Sequence, residues 1–448
     1  MMKRITAITA TLYVLITGLV TSTQAQPVKK EATDSARVWI QQHSTPIDIS
    51  NYKQFIKQLS PALHVMQTKQ VVGLGEGTHG TSEFQIVRAY ITRYLCSEKG
   101  FRIVCLENSY GWCVELNNYI QTGQGNLDTL MKKNLLGMWQ NAEIRSLLQW
   151  MKEYNLFHQE KLQLAGMDYS ETSTNARIMQ AFVQKMNNAA LAAMTDSLLT
   201  RAGYMDAAYS DFNNAKSVYQ WKDVLDNGVK AYELTLRIKG ALDSLKQEGA
   251  TRLSNEEAKR LHTALYNSEL AYYSIYKPVK EKVDASRDEI MAAMVKRIKE
   301  DNAGAKAIIW AHNAHMAKGK VFGDDNNGGG TGSFLESYYP GAYYVLGTGT
   351  LGGTFSATSD RFIVNTSLFK SYSLNKAEAG SWEQVISSTG TGSLFIDAQD
   401  QQYPLPALPL RFTGYGHAQK NAFVNTRLNK LFDGFLFIPS TQATHIQQ

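Results

Sequence analysis

The sequence predicts an α/β fold: a mainly parallel sheet flanked by helices, with an inserted helical subdomain. Three observations carry this reading. Short apolar runs without polar alternation recur in both the first and last thirds of the chain, as strands covered on both faces do. The first two runs, Val71–Gly75 and Arg102–Leu106, are separated by the amphipathic stretch Ser82–Gly100, which gives the strand, helix and strand of a βαβ unit. From about residue 175 to 301 the β-like runs stop, and Leu, Ala, Met and Tyr recur at helical spacing opposite Lys, Glu, Asp and Asn.

Taken in chain order, Met1-Met2-Lys3-Arg4, the apolar run Ile5–Val20 and the small residues Thr21–Ala25 make the three parts of a secretory signal peptide, cut after Ala25. The apolar run is shorter than the ~20 residues a membrane span needs. Residues 1–25 are therefore read as a leader, and the mature chain as exported, periplasmic or secreted. Residues 26–174 are assigned to the first half of the α/β core, 175–301 to the helical insertion and 302–448 to the second half. Further strands are expected at Leu162–Met167, Ala307–Trp310, Tyr343–Gly347, Leu394–Ile396 and Phe435–Ile438. The helix Ser82–Gly100 opens with a Ser-x-x-Gln capping signature, carries Phe84, Val87, Ile91, Tyr94 and Leu95 on one stripe, and stops at glycine. The stretch Gly323–Gly330 cannot pack a core and reads as a mobile loop.

Composition narrows the function. With 44% hydrophobic residues in 448, the chain can bury a sizeable core, and a formal charge of +6 without a dense basic run does not draw a nucleic-acid footprint. Nothing after the leader is apolar for long enough to span a bilayer. Cys96, Cys105 and Cys113 are odd in number and fit no zinc spacing, so neither a disulfide framework nor a zinc site of cysteines is expected.

The chemistry lies at the carboxyl ends of the apolar runs, where open parallel sheets bind ligands. The first run ends in Gly75-Glu76-Gly77-Thr78-His79-Gly80, the second in Glu107, the third in Asp168, and the one at Trp310 in Ala311-His312-Asn313-Ala314-His315. Scattered surface charge would not select strand ends. Three acids and three histidines placed there form an acid/base set, and His79 with a carboxylate and the His312/His315 pair leaves a divalent metal site open as an alternative. Otherwise no cofactor is expected. Arg88 stands at the margin of its helix's apolar stripe and should pair with Glu76 or Glu107. Gly80-Thr81-Ser82-Glu83-Phe84 approaches a nucleophile elbow but lacks the final glycine, which makes Ser82 a helix cap. There is no Gly-x-Gly-x-x-Gly after the first strand and no Walker loop. His43, His64, His158, His262, His417 and His445 have no comparable setting and read as surface or core residues.

At these residues the chain resembles the erythromycin esterase family. The resemblance rests on Gly75–Phe84, Glu107, Trp139-Gln140-Asn141-Ala142-Glu143 leading to Trp150, Ala165-Gly166-Met167-Asp168, Arg287-Asp288-Glu289 and Trp310–His315, in order over most of the mature chain. It implies a carboxylic ester hydrolase that opens a macrolide lactone or related bulky ester, and hence antibiotic resistance. It further implies that His79 is the general base that activates water, that Glu76 and Glu107 orient it, and that Arg88, His312 and His315 complete the polar site. His312 and His315 are taken with the catalytic residues and Arg88 and Asp168 with substrate binding, with a small-molecule ester as the partner. A rival reading is a non-catalytic small-ligand binding protein that uses the same cleft.

Overall fold

Val71–Glu76 is buried along its whole length, because the strand it forms, β2, lies inside a sheet with neighbours on both sides. The structure is a computed structural model and describes residues 30–446 apart from 212–216, 248–252, 322–328, 359–367, 415 and 420. The expected leader, and residues 323–328 of the expected mobile loop, lie outside the described residues. The other strands are β1 (Ser44–Pro46), β3 (Phe101–Ser109), β4 (Gln163–Asp168), β5 (Lys306–His312), β6 (Tyr343–Ala357), β7 (Lys370–Ser373), β8 (Leu394–Asp397), β9 (Leu408–Arg411), β10 (Phe423–Thr426) and β11 (Gly434–Thr441). Among the described residues, nine strands share one sheet in the order β1-β8-β11-β6-β2-β5-β3-β4, with β7 on β6; β9 and β10 form a separate ribbon. The central pairs β11/β6, β6/β2, β2/β5 and β5/β3 are parallel, and antiparallel pairs occur at β8 and β7. The sheet is thus mixed and mostly parallel, with helices flanking it.

Every expected strand from Val71 onward overlaps an observed one. The strands missed from sequence are short, or in the case of β6 longer than its apolar run. Beyond Tyr343–Leu346 its glycines look like loop, yet Phe432 and Phe435 pack where side chains at Gly347 and Gly349 would stand. The helix after β2 runs Ser82–Lys99 and ends at Gly100, whose φ of 73° suits glycine. Its start differs from the expected capping box. Thr81 is the cap residue, with no side-chain cap bond; the Ser82 N–H is taken by the Gln442 carbonyl at 2.9 Å, and the Ser82 hydroxyl donates to Glu143.

The chain divides into two units. One holds Asn108–Glu115 and Ala165–Ala303, and so the long helices Ser173–Val183, Ala189–Asp211, Trp221–Gln247, Asn255–Tyr276 and Arg287–Asp301. The other holds the rest of the sheet and packs Val72, Leu74, Val104, Leu106, Ile308 and Trp310 against Phe84, Val87, Ile91 and Leu95. Cys96, Cys105 and Cys113 are buried as thiols outside any disulfide, and burial pushes the thiols of Cys96 and Cys113 up to about 12.

Candidate functional site

Parallel pairing of β2 with β5 sets Glu76 opposite His312 across the last register position. Side chains alternate faces along a strand, so Glu76 emerges on the same face as Val72 and Leu74, over the core. The turn that follows is held by β6 and by the segment after β9. Gly77 N–H donates to the Thr348 hydroxyl at 3.1 Å, Thr413 N–H donates to the Gly77 carbonyl at 2.9 Å, and His79 N–H donates to the Thr413 carbonyl at 3.1 Å. At Gly80, φ is 74° and a Cβ would stand 2.1 Å from the Ser356 carbonyl oxygen, so glycine is required there.

Glu76, wholly buried, is shared between two partners. Its Oε1 lies 2.6 Å from His79 Nδ1 and its Oε2 accepts from Arg88 Nη2 at 2.5 Å. A carboxylate at Nδ1 keeps the proton on that nitrogen, which leaves the lone pair of neutral His79 on Nε2. Arg88 has no exposed surface; its guanidinium lies over the rings of Trp310, at 4.5 Å, and Trp139, at 5.4 Å. Burial lowers its proton affinity and Glu76 and Glu107 act against this. Arg88, which the sequence pairs with Glu76 or Glu107 and assigns to substrate binding, sits behind Glu76 and holds that carboxylate.

Glu107 lies two residues before the end of β3 and is also buried. Its Oε2 accepts the His312 N–H at 3.0 Å, its Oε1 lies 3.4 Å from His315 Nε2, and its carbonyl accepts from the Trp139 indole at 3.0 Å. His312 accepts the Ala314 N–H on Nδ1 at 3.3 Å, so its proton resides on Nε2, a buried atom whose contact with the Thr413 carbonyl falls short of full hydrogen-bond geometry. Burial first, then the neighbouring His79 and His315, holds His312 well below the usual histidine range, with Glu107 and the Thr413 carbonyl acting weakly the other way. Its ring centroid is 4.9 Å from that of His79. The result is an imidazole with its Nε2 lone pair fixed by Glu76 beside a second, neutral imidazole that offers an N–H.

Glu76, His79, Arg88, Glu107, His312 and His315 therefore meet in one unit. Asp168 belongs to the other, where Arg287 engages both its oxygens at 3.2 and 2.6 Å and Asn267 donates to its carbonyl. Among the described residues, no three His, Cys, Asp or Glu side chains group in a way that could hold a metal ion. Sequence reasoning missed Phe412 and Thr413. They follow the short β9, outside the parallel sheet, and bring a ring 6.2 Å from that of His312 and the carbonyl under His79. No strand-end pattern could have found them. His445, read as a filler, pairs with Glu143 at 2.8 Å, whereas His43, His64 and His158 each bond the carbonyl four residues earlier.

The chain is similar to erythromycin esterase type II of Escherichia coli, 22% identical over 442 residues that cover 91% of this chain and 98% of that protein. YbfO of Bacillus subtilis (strain 168), which bears a hydrolase name, is 22% identical over 387 residues, 80% of each. A crystal structure of a Bacillus cereus protein superposes with a TM-score of 0.76 at 22% identity, covering 93% of this chain and 99% of that one, which establishes likeness of fold. The family model described as erythromycin esterase matches residues 96–441, and on that span the chain belongs to the erythromycin esterase family of hydrolases.

Proposed function

We propose that the chain is an exported carboxylic ester hydrolase that opens a macrolide lactone or related bulky ester by histidine-activated water. The observation that carries this is the buried relay Arg88–Glu76–His79 with the Nε2–H of His312 beside it. Glu76 fixes the His79 tautomer; His79 Nε2 takes a proton from water as its oxygen attacks the ester carbonyl. Charge then develops on the carbonyl oxygen, and His312 Nε2–H donates to it. Collapse of the tetrahedral adduct expels the alkoxide, which takes the proton now on His79 and leaves a carboxylic acid. Glu107 holds the His312 backbone and faces His315, so it keeps both histidines in place. Export rests on the basic, apolar and small-residue pattern of residues 1–25.

Both oxygens of Glu76 are already engaged, and the steps above use only side chains of this chain. The test is mass spectrometry of erythromycin incubated with the mature chain, with and without EDTA. The expected result is a gain of about 18 Da, one water, unaffected by chelation. Loss of the product on chelation, with recovery on adding zinc, would replace His79 by a metal as the activator of water. No mass change would remove the macrolide from the proposal and direct the search to other bulky esters.

A further inference from the structure

Trp139 touches three members of the site at once, although it comes from neither a strand end nor the loop that carries His79. Its Nε1–H donates to the Glu107 carbonyl at 3.0 Å, its ring lies 5.4 Å from the Arg88 guanidinium, and its centroid is 6.3 Å from that of His79 at an interplanar angle of 77°. The indole is wholly buried. It is also clamped. Trp139 ends the tight turn Gly137–Trp139; its N–H donates to the Leu136 carbonyl at 2.8 Å. The Gln140 amide donates to the Leu135 carbonyl at 2.7 Å, and Asn141 bonds both the Met138 carbonyl and the Ile144 N–H at 2.9 Å. Trp310, whose own indole donates to the Thr92 hydroxyl at 3.0 Å, presents the second ring to Arg88.

We infer that Trp139 is a positioning residue: one rigid indole sets the edge against which His79 stands, the face against which Arg88 holds Glu76, and the backbone of the strand end that bears Glu107. The physical reason is that a guanidinium removed from water keeps its direction only where every side of it is filled, and aromatic faces fill it with favourable electrostatics. A displacement of Arg88 moves Glu76, and with it the nitrogen that His79 offers to water. An error of about 1 Å in such a chain costs on the order of 100-fold in rate. The inference rests on the reading of His79 as general base, and its test includes a readout that needs no substrate.

The variants are Trp139→Phe, which keeps a ring face and loses the indole N–H, and Trp139→Leu, which loses both. The low-field proton NMR resonance of the His79 Nδ1–H bonded to Glu76, identified by its absence in His79→Ala, is followed beside kcat, KM and the melting temperature. Expected are a shifted resonance and a kcat lower by about tenfold in Trp139→Phe, and a lost resonance with kcat lower by about 100-fold in Trp139→Leu, with KM changed by no more than about threefold. Folded variants with an unmoved resonance and kcat within about twofold of wild type would overturn the inference. Where Trp139→Leu fails to fold, Trp139→Phe alone decides. Failure of the general-base reading is seen separately, as a fully active His79→Ala.

Discussion

At the scale of single residues, His312 is the most informative member of the site. Its proton sits on Nε2, its ring is buried, and its neighbours disfavour a second proton, so it stays a neutral donor through the neutral range. His312→Gln, which retains an N–H donor, should keep about tenfold more kcat than His312→Ala, as expected for an oxyanion donor worth ~10²–10³ in rate. Because the native state resists protonating His312, the unfolded chain binds more protons below its ordinary pKa of about 6.5, and stability falls as pH drops through that value. Thermal melts of His312→Gln from pH 7 to 5 should show a shallower loss than wild type; identical slopes would remove His312 as the source. Glu76→Gln tests the other half of the relay. It strips the anion from between His79 and Arg88, and leaving a buried guanidinium unpaired should cost about 3–5 kcal/mol of stability and at least ~100-fold in kcat. Of these side chains, Glu76, His79, Glu107, His312 and His315 were legible in the sequence because each ends or follows an apolar run. Arg88 was legible as an ion-pair partner from its place on the stripe's margin, whereas its complete burial beside Trp139 and Trp310 was not, since periodicity does not say how deeply a margin is covered.

At the scale of elements, the turn after β2 is held by segments far away in sequence, and this is where pattern reasoning ran out. The parallel strands were legible from their uninterrupted apolar character. The straps Phe412–Thr413 and Gln442–Thr444, which bond Gly77, His79, Gly80 and Ser82, carry no periodic signal because their contribution is backbone hydrogen bonding. The same cause misdirected the capping expectation: the tail supplies the carbonyl for the Ser82 N–H and leaves its hydroxyl for Glu143. Gly80→Ala places a Cβ against the Ser356 carbonyl at a positive φ and should destabilise by about 1–3 kcal/mol. A denaturant midpoint unchanged by Gly80→Ala would show that the turn relaxes without cost.

At the scale of the whole molecule, the two units carry different chemistry. The helical unit buries Glu171 close to Asp206, which already accepts from the N–H and hydroxyl groups of both Thr172 and Ser173. Burial, then the Asp206 charge, pushes the Glu171 carboxyl up to about 8. A carboxyl raised in the folded state binds more protons there than when unfolded, so its contribution is fully present below about pH 4.3 and is lost as pH rises towards 8. Glu171→Gln keeps an acceptor for the Thr174 N–H and should melt higher than wild type at pH 8, with the difference vanishing near pH 4; equal melting at both would contradict the burial of that charge. Among the described residues no helix is long and apolar enough to cross a membrane. The helical stretch was legible from apolar residues at helical spacing, whereas the meeting of Glu171 with Asp206 was not, because two acids far apart in sequence give no sign of sharing one site.

Hydrolysis of an accepted ester by wild type and His79→Ala, followed side by side across pH, bears most directly on His79 as the activator of water. The expected result is a loss of at least ~10²-fold in kcat/KM at every pH compared. Retention of wild-type kcat/KM by a folded His79→Ala would contradict it.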